Sequence, residues 1–108
     1  MSAEKEFRFA PPDWTPDAAR AAARAEHLSL GEDHWDAVRG LQEFYARQST
    51  APVSLRELQD ALEEKFHHKG GMKYLYTLFP GGPIVQGCRL AGLKAPPGTI
   101  DRGFGSVA

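Results

Sequence analysis

A single cysteine, Cys88, stands in a chain of 108 residues. A lone thiol rules out an intrachain disulfide and a cysteine-rich zinc site. Two roles remain for it: a small buried hydrophobe, or a nucleophile. The nucleophile is the thiolate, which needs an electropositive, partly exposed setting to form near neutral pH. Gly87 precedes Cys88 and Arg89 follows it, with glycines and prolines on both sides. Arg89, Lys73, Lys94 and the run His67-His68-Lys69 could supply positive charge if the fold brings them near. A helix through Cys88 would place the thiol toward its C-terminal end, where the dipole disfavours an anion. Any lowering of its pKa must then come from cationic side chains.

The remaining residues offer less chemistry. Of the four histidines, His67 and His68 are adjacent and point to different sides of a helix, so they do not readily chelate one ion. With no carboxylate or thiol at ligand spacing, no metal is expected, and the histidines read as solvated groups at helix ends. No nucleophile–base–acid motif, phosphate loop or dinucleotide glycine pattern is present, and no cofactor is implied. Residues 55–66, Gly70-Gly71 and residues 72–79 could form a helix-turn-helix. The second helix offers only Lys73, Tyr74 and Thr77 to a DNA groove, which makes a weak reading head.

These residues need elements to hold them. Thr15-Pro16-Asp17 reads as an N-cap, a first-turn proline and an acid on the positive end of the dipole, opening a helix to Ala25. Ser29-Leu30-Gly31-Glu32 has capping-box spacing and precedes the longest helix, about residues 30–48. Trp35, Val38, Leu41, Phe44 and Tyr45 form its apolar stripe. Ser54-Leu55-Arg56-Glu57 repeats the spacing and starts a helix to about Phe66. A short helix follows Gly70-Gly71 and stops at Pro80. Gly82-Pro83 can open a last helix to about Ala91, capped by Gly92. Phe7-Arg8-Phe9 alternates like a short edge strand, ended by Pro11-Pro12. The expected fold is an all-α bundle of about five helices: one domain over 1–93 and a mobile C-terminal arm over 94–108.

Composition agrees. Hydrophobic residues make up 42% and charged residues 25%, ordinary for a globular chain. No apolar run is long enough to span a membrane and no secretory signal is read, so a cytoplasmic setting is expected. The net charge of −1 conceals two halves. Residues 1–64 carry 7 Lys and Arg against 13 Asp and Glu, a net of −6. Residues 65–108 carry 6 against 1, a net of +5. The halves either attract one another in the fold, or leave a basic surface around Cys88 for an anionic partner.

One stretch carries a resemblance. Gly71-Met72-Lys73-Tyr74-Leu75-Tyr76-Thr77-Leu78-Phe79-Pro80-Gly81-Gly82-Pro83, then Gln86-Gly87-Cys88-Arg89-Leu90-Ala91-Gly92-Leu93, resembles the signature of the DsrC/TusE family. That family includes the gamma subunit of dissimilatory sulfite reductase and the sulfur-relay protein of tRNA thiolation. His34-Trp35, Phe44-Tyr45 and Pro52 fit its central helix. The similarity covers about residues 14–98. It implies a small helical sulfur carrier with cysteines on a C-terminal arm, a helix-turn-helix-like pair, and an N-terminal β-hairpin that is shortened or absent here. Cys88 matches one family cysteine. The principal carrier position, eleven residues on, is Thr99, and the chain continues to Ala108. A threonine hydroxyl cannot hold a persulfide, so the family's two-cysteine cycle is closed to one chain.

The resemblance implies that Cys88 accepts a sulfane sulfur and hands it on, with Arg89, Lys73 and Lys94 stabilising the thiolate or binding partners. Such a protein is a carrier, modified in each half-reaction, rather than a turnover enzyme. Its partners would be sulfur donor and acceptor proteins: sulfurtransferases of the TusBCD or DsrEFH type, sulfite reductase or a tRNA-thiolating enzyme. No membrane is involved. The alternative is a regulator of sulfur metabolism that carries nothing and binds protein partners or DNA. A third reading pairs Cys88 with the cysteine of another chain.

Overall fold

The structure, a computed structural model, describes residues 7–48 and 53–99. Five α-helices follow in order: α1 (Pro16–Ala25), α2 (Glu32–Arg47), α3 (Leu55–Lys65), α4 (Met72–Leu78) and α5 (Pro83–Ala91). A 3-10 turn, His67–Lys69, joins α3 to α4. The described residues contain no strand.

Most helix ends follow the sequence. Thr15 accepts the Ala18 N–H through its hydroxyl at 3.1 Å, and Pro16 takes the first turn. Ser54 caps α3 by accepting from the Glu57 N–H. Gly92 ends α5 with φ 77°. Two local expectations fail. Phe7-Arg8-Phe9 forms a turn, with the Ala10 N–H on the Phe7 carbonyl. The Ser29–Glu32 box is not used either. Helix α2 starts from Gly31, whose N–H donates to Nδ1 of His34 at 3.0 Å. His34 reaches back from the third helical position and does what a glutamate does in the usual box.

Helix α5 holds the centre. It packs against α1, α2 and α4, while α3 lies on α2. Every residue of α5 except Arg89 is buried, and the buried polar one among them, Gln86, is hydrogen-bonded. The approach to α2 is set by Gly87, where an added Cβ would lie 2.7 Å from Leu41 Cδ1. The turn before α4 likewise depends on Gly71, with φ 65°, where a Cβ would fall 2.3 Å from the Glu63 carboxylate. That carboxylate accepts the Met72 N–H at 3.1 Å, so Glu63 caps α4 from α3. Leu41, Leu58, Leu62, Leu75 and Phe79 fill the core. At the N-terminal side Phe7 lies between Trp14 and Trp35, with centroids 4.9 and 5.6 Å away. Trp14 Nε1 donates to the Leu90 carbonyl at 2.7 Å, tying this cluster to α5.

The oppositely charged halves meet. Arg89 pairs with Glu26 at 2.8 Å and Lys69 with Asp33 at 2.9 Å. Residues 94–99 leave α5 and turn back toward the body, with Pro96 buried and Gly98 in reach of Leu55. The remainder of the expected arm lies outside the described residues.

Two glycines give opposite expectations. Gly87→Val forces a branched side chain into Leu41 and should lower stability by about 2 kcal/mol. At Gly40 the nearest atom to a new Cβ is Lys65 Cδ, 3.1 Å away on a flexible chain. Gly40→Ala should therefore hold or raise stability by up to about 1 kcal/mol through helix propensity. Urea midpoints check both, and an unchanged midpoint for Gly87→Val would contradict the packing described.

Candidate functional site

Cys88 sits in the last turn of α5 and is fully buried. Two α2 side chains three residues apart hold the chain around it. Gln42 Nε2 donates to the Ala91 carbonyl at 3.0 Å. The Tyr45 hydroxyl donates to the Lys94 carbonyl at 2.6 Å. The Cys88 thiol points to that same hydroxyl oxygen, with Sγ 3.9 Å away. The Leu93 N–H closes the end of α5 on the Cys88 carbonyl at 2.8 Å. A tyrosine thus joins three elements: α2, the thiol of α5 and the first residues of the arm.

The electrostatics follow from burial. Loss of water pushes the Cys88 thiol from its usual 9.0 up to about 11, and the contact with Tyr45 opposes this only in part. Burial also pushes the Tyr45 phenol well above its ordinary range, helped by the neighbouring thiol. At neutral pH both groups are protonated. The closed form therefore holds only about one thiolate in ten thousand molecules at pH 7.

The cations expected to activate the thiol are engaged elsewhere or lie outside. Arg89 directs Nε and Nη2 onto the Glu26 carboxylate, at 2.8 and 2.9 Å. That charge-assisted fork holds Glu26 below the usual carboxylate range, against the opposing effect of burial. Gln86 completes the arrangement, accepting the Gly81 N–H and donating to Glu26 at 2.7 Å. Arg89 is therefore a tie between α1 and α5, and its role toward the thiolate is corrected: the helix turns its side chain to Glu26. Lys73 is exposed on α4. Lys94 is also exposed, and its carbonyl rather than its ammonium is what the site uses. Neither lysine lowers the thiol's pKa.

The histidines divide. His67 and His68 are exposed, as expected. His34 is buried instead, with Nε2 2.8 Å from the Leu78 carbonyl and its ring edge-on to Phe79. With Nδ1 accepting from Gly31, Nε2 must carry the proton. Among the described residues no group of three or more His, Cys, Asp or Glu could hold a metal ion. Also among them, no helix is long and apolar enough to cross a membrane.

Thr99 lies elsewhere, in a cleft of about 140 Å³ between α3, α4 and the start of α5, lined by Leu55, Gln59, Met72, Tyr76 and Pro83. Its hydroxyl donates to the Pro96 carbonyl at 3.0 Å. Sequence reasoning missed Tyr45, Gln42 and Glu26 as parts of the site. Tyr45 was legible only as one more member of an apolar stripe, and nothing local marks the other two.

The buried thiol should show in the pH dependence of stability. Its folded pKa lies above its unfolded value, so the stabilisation is complete below pH 9 and is lost as pH rises toward about 11. The loss is on the order of 2 kcal/mol. Tyr45 adds its own loss only above about pH 10, where an unfolded phenol ionises. Between pH 9 and 10, Cys88→Ala should therefore flatten the fall measured by urea denaturation. An equal slope in both proteins would contradict a buried neutral thiol.

Comparisons with known proteins agree with one another. The sequence profile described as DsrC like protein matches residues 2–100. Sulfurtransferase TusE of Photorhabdus laumondii is 40% identical over 85 residues, 78% of this chain and 76% of the relative. A TusE homolog of Haemophilus influenzae is 42% identical over 84 residues, 77% of this chain and 76% of the relative. The NMR structure of Allochromatium vinosum DsrC superposes with a TM-score of 0.67 at 44% identity, covering 82% of this chain and 79% of that one. These relatives give the DNA-binding reading no support. By profile, by identity and by fold, the chain belongs to the DsrC-like family.

Proposed function

We propose that this chain relays sulfur between proteins, with Cys88 as the thiol that receives and passes on a sulfane sulfur. The observation that carries the reading is the placement of Cys88 beneath the Tyr45–Lys94 bond, at the point where the arm leaves the body. Family membership supplies the class of chemistry, since the relatives bear the name sulfurtransferase.

In the closed form the thiol is protonated and unreachable. Lifting the arm from Tyr45 would restore water to the sulfur and remove the burial that raises its pKa. The thiolate then attacks the outer sulfur of a donor persulfide. A bond forms between Cys88 Sγ and that sulfur, the donor's S–S bond breaks, and the donor leaves as a thiolate. Passing the sulfur on is the same exchange with an acceptor thiolate, and no net oxidant is needed. The arm is thereby a gate: a partner that engages it exposes the thiol, and a free chain keeps its sulfur covered.

The partners are sulfur donor and acceptor proteins, of the sulfurtransferase, sulfite reductase or tRNA-thiolation type. The exposed Lys73, and Lys94 on the arm, would steer their acidic surfaces. A cytoplasmic setting suits a chain whose free thiol must stay reduced. A second reading is favoured by the burial of Cys88 together with Thr99: a body that docks on sulfur-transfer proteins and carries nothing.

Two measurements separate these. After incubation with a persulfide donor and its protein, mass spectrometry should find one added sulfur atom on Cys88, absent in Cys88→Ser. Tyr45→Phe removes one hydrogen bond from the gate, about 1 kcal/mol, and should raise native-state alkylation of Cys88 about fivefold. No added sulfur in either the natural chain or Tyr45→Phe would reject the carrier role and leave the docking role.

A further inference from the structure

Beyond Lys94 the arm is guided back onto the body. Pro96 is buried, and the Thr99 hydroxyl donates to its carbonyl at 3.0 Å. Between them Pro97-Gly98 fills the centre of a turn, with Gly98 at φ 96°, the backbone that a type II turn asks of its third residue. The turn lays Gly98 beside Leu55, where a Cβ would lie 3.4 Å from Cδ2. It sets Thr99, half-buried, in the wall of the cleft between α3, α4 and the start of α5. The chain is thus led from the Cys88 gate to the mouth of that cleft.

The cleft has room for one side chain. Its volume, about 140 Å³, is close to the roughly 150 Å³ of an apolar cavity that takes a benzene ring. Leu55, Met72, Pro83 and Val85 make it mostly apolar, and Tyr76 stands on its α4 side. Tyr76 is 46% exposed, whereas the other apolar residues of α4 are buried or half-buried. An exposed ring beside an open apolar cleft is surface that a further apolar side chain would remove from water.

The sequence supplies one at the right place. Ile100 follows Thr99 directly, one peptide unit or about 3.8 Å further along the chain. The next two residues, Asp101 and Arg102, are charged. Residues 100–108 lie outside the described residues, so the argument for Ile100 rests on the cleft and on where Thr99 stands. A side chain tethered this closely reaches its seat at an effective concentration of about millimolar or more, far above that of a second copy in dilute solution.

We propose that the cleft is the seat of this chain's own Ile100, which latches the arm from its far side. The latch deepens the gate of the carrier reading and rests on it. Tyr45 holds the arm at Lys94, and Ile100 holds it beyond the turn. A partner that draws Ile100 from the cleft frees the turn. The Tyr45 bond and the packing of Leu93 and Ala95 then remain as the cover of Cys88.

The test uses the full chain with its isoleucine δ1 methyls labelled. The chain has two isoleucines, Ile84 and Ile100, so two signals appear and Ile100→Ala assigns them. The Ile100 methyl should show nuclear Overhauser contacts to the Tyr76 ring and the Met72 methyl, unchanged on tenfold dilution. Ile100→Asp should raise native-state alkylation of Cys88 about tenfold. Tyr76→Ser, at an exposed position, should also raise it, and the double variant should go no further than Ile100→Asp alone. Sulfur loading on Cys88 is scored separately: its absence rejects the carrier reading and leaves the latch to the methyl contacts. An Ile100 methyl without contacts to Tyr76 and Met72 overturns the latch, whatever the sulfur result. Contacts that pass between differently labelled chains in a mixed sample also overturn it, because the cleft would then belong to a second copy. So does unchanged alkylation in Ile100→Asp.

Discussion

The closeness of α5 to α2 is the constraint on which everything else depends. Gly87 lets the two backbones approach with Leu41 between them. Only at that distance can Gln42 reach the Ala91 carbonyl and Tyr45 the Lys94 carbonyl. The same approach buries Cys88 completely and keeps its proton on it. Packing and chemistry are therefore one fact here. The contact that completes the core also silences the thiol, and a residue that loosens one must affect the other.

The site joins a strong part to a weak one. Helix α5 is anchored on its far side by the Glu26–Arg89 fork and by Gln86, and above by Trp14 on the Leu90 carbonyl. Beyond Gly92 the backbone is held by two hydrogen bonds, Leu93 to Cys88 and Tyr45 to Lys94, with Leu93 and Ala95 packed on the core and Pro96 buried. Local opening begins where contacts are few and partly solvated. Gly92 and Lys94 are exposed and Leu93 and Ala95 half-buried, whereas the helix that bears the cysteine is buried everywhere except at Arg89. A gate that opens without melting α5 is what such a distribution of contacts permits.

Helix boundaries were legible in the sequence because their signals are local. Thr15, Ser54, Gly82-Pro83 and Gly92 each act on backbone groups within a turn. Where a second local group competed, the reading failed. His34 satisfied the Gly31 N–H, so the box that opens at Ser29, two residues before that cap, was bypassed. The family signature was legible as well, since it lies in one continuous stretch around Cys88. The electrostatics of the thiol were not. Arg89 is next to Cys88 in the chain, yet a helix rotates neighbours apart and Glu26 claims its guanidinium from 63 residues away. Tyr45 and Lys94 are 49 residues apart, and no periodicity links them. Sequence proximity suggested a thiolate beside a cation, whereas the fold supplies a protonated thiol beside a phenol.

Whether Cys88 is uncovered by the arm alone or only by global unfolding can be measured directly. The rate of native-state thiol labelling is followed at rising urea below the unfolding transition. Opening of the arm exposes little surface, so the rate should stay nearly flat at low urea and join the global unfolding line only near the midpoint. A rate that climbs from the first addition with the full urea dependence of unfolding would mean that Cys88 meets solvent only when the bundle comes apart, and the gate would not exist.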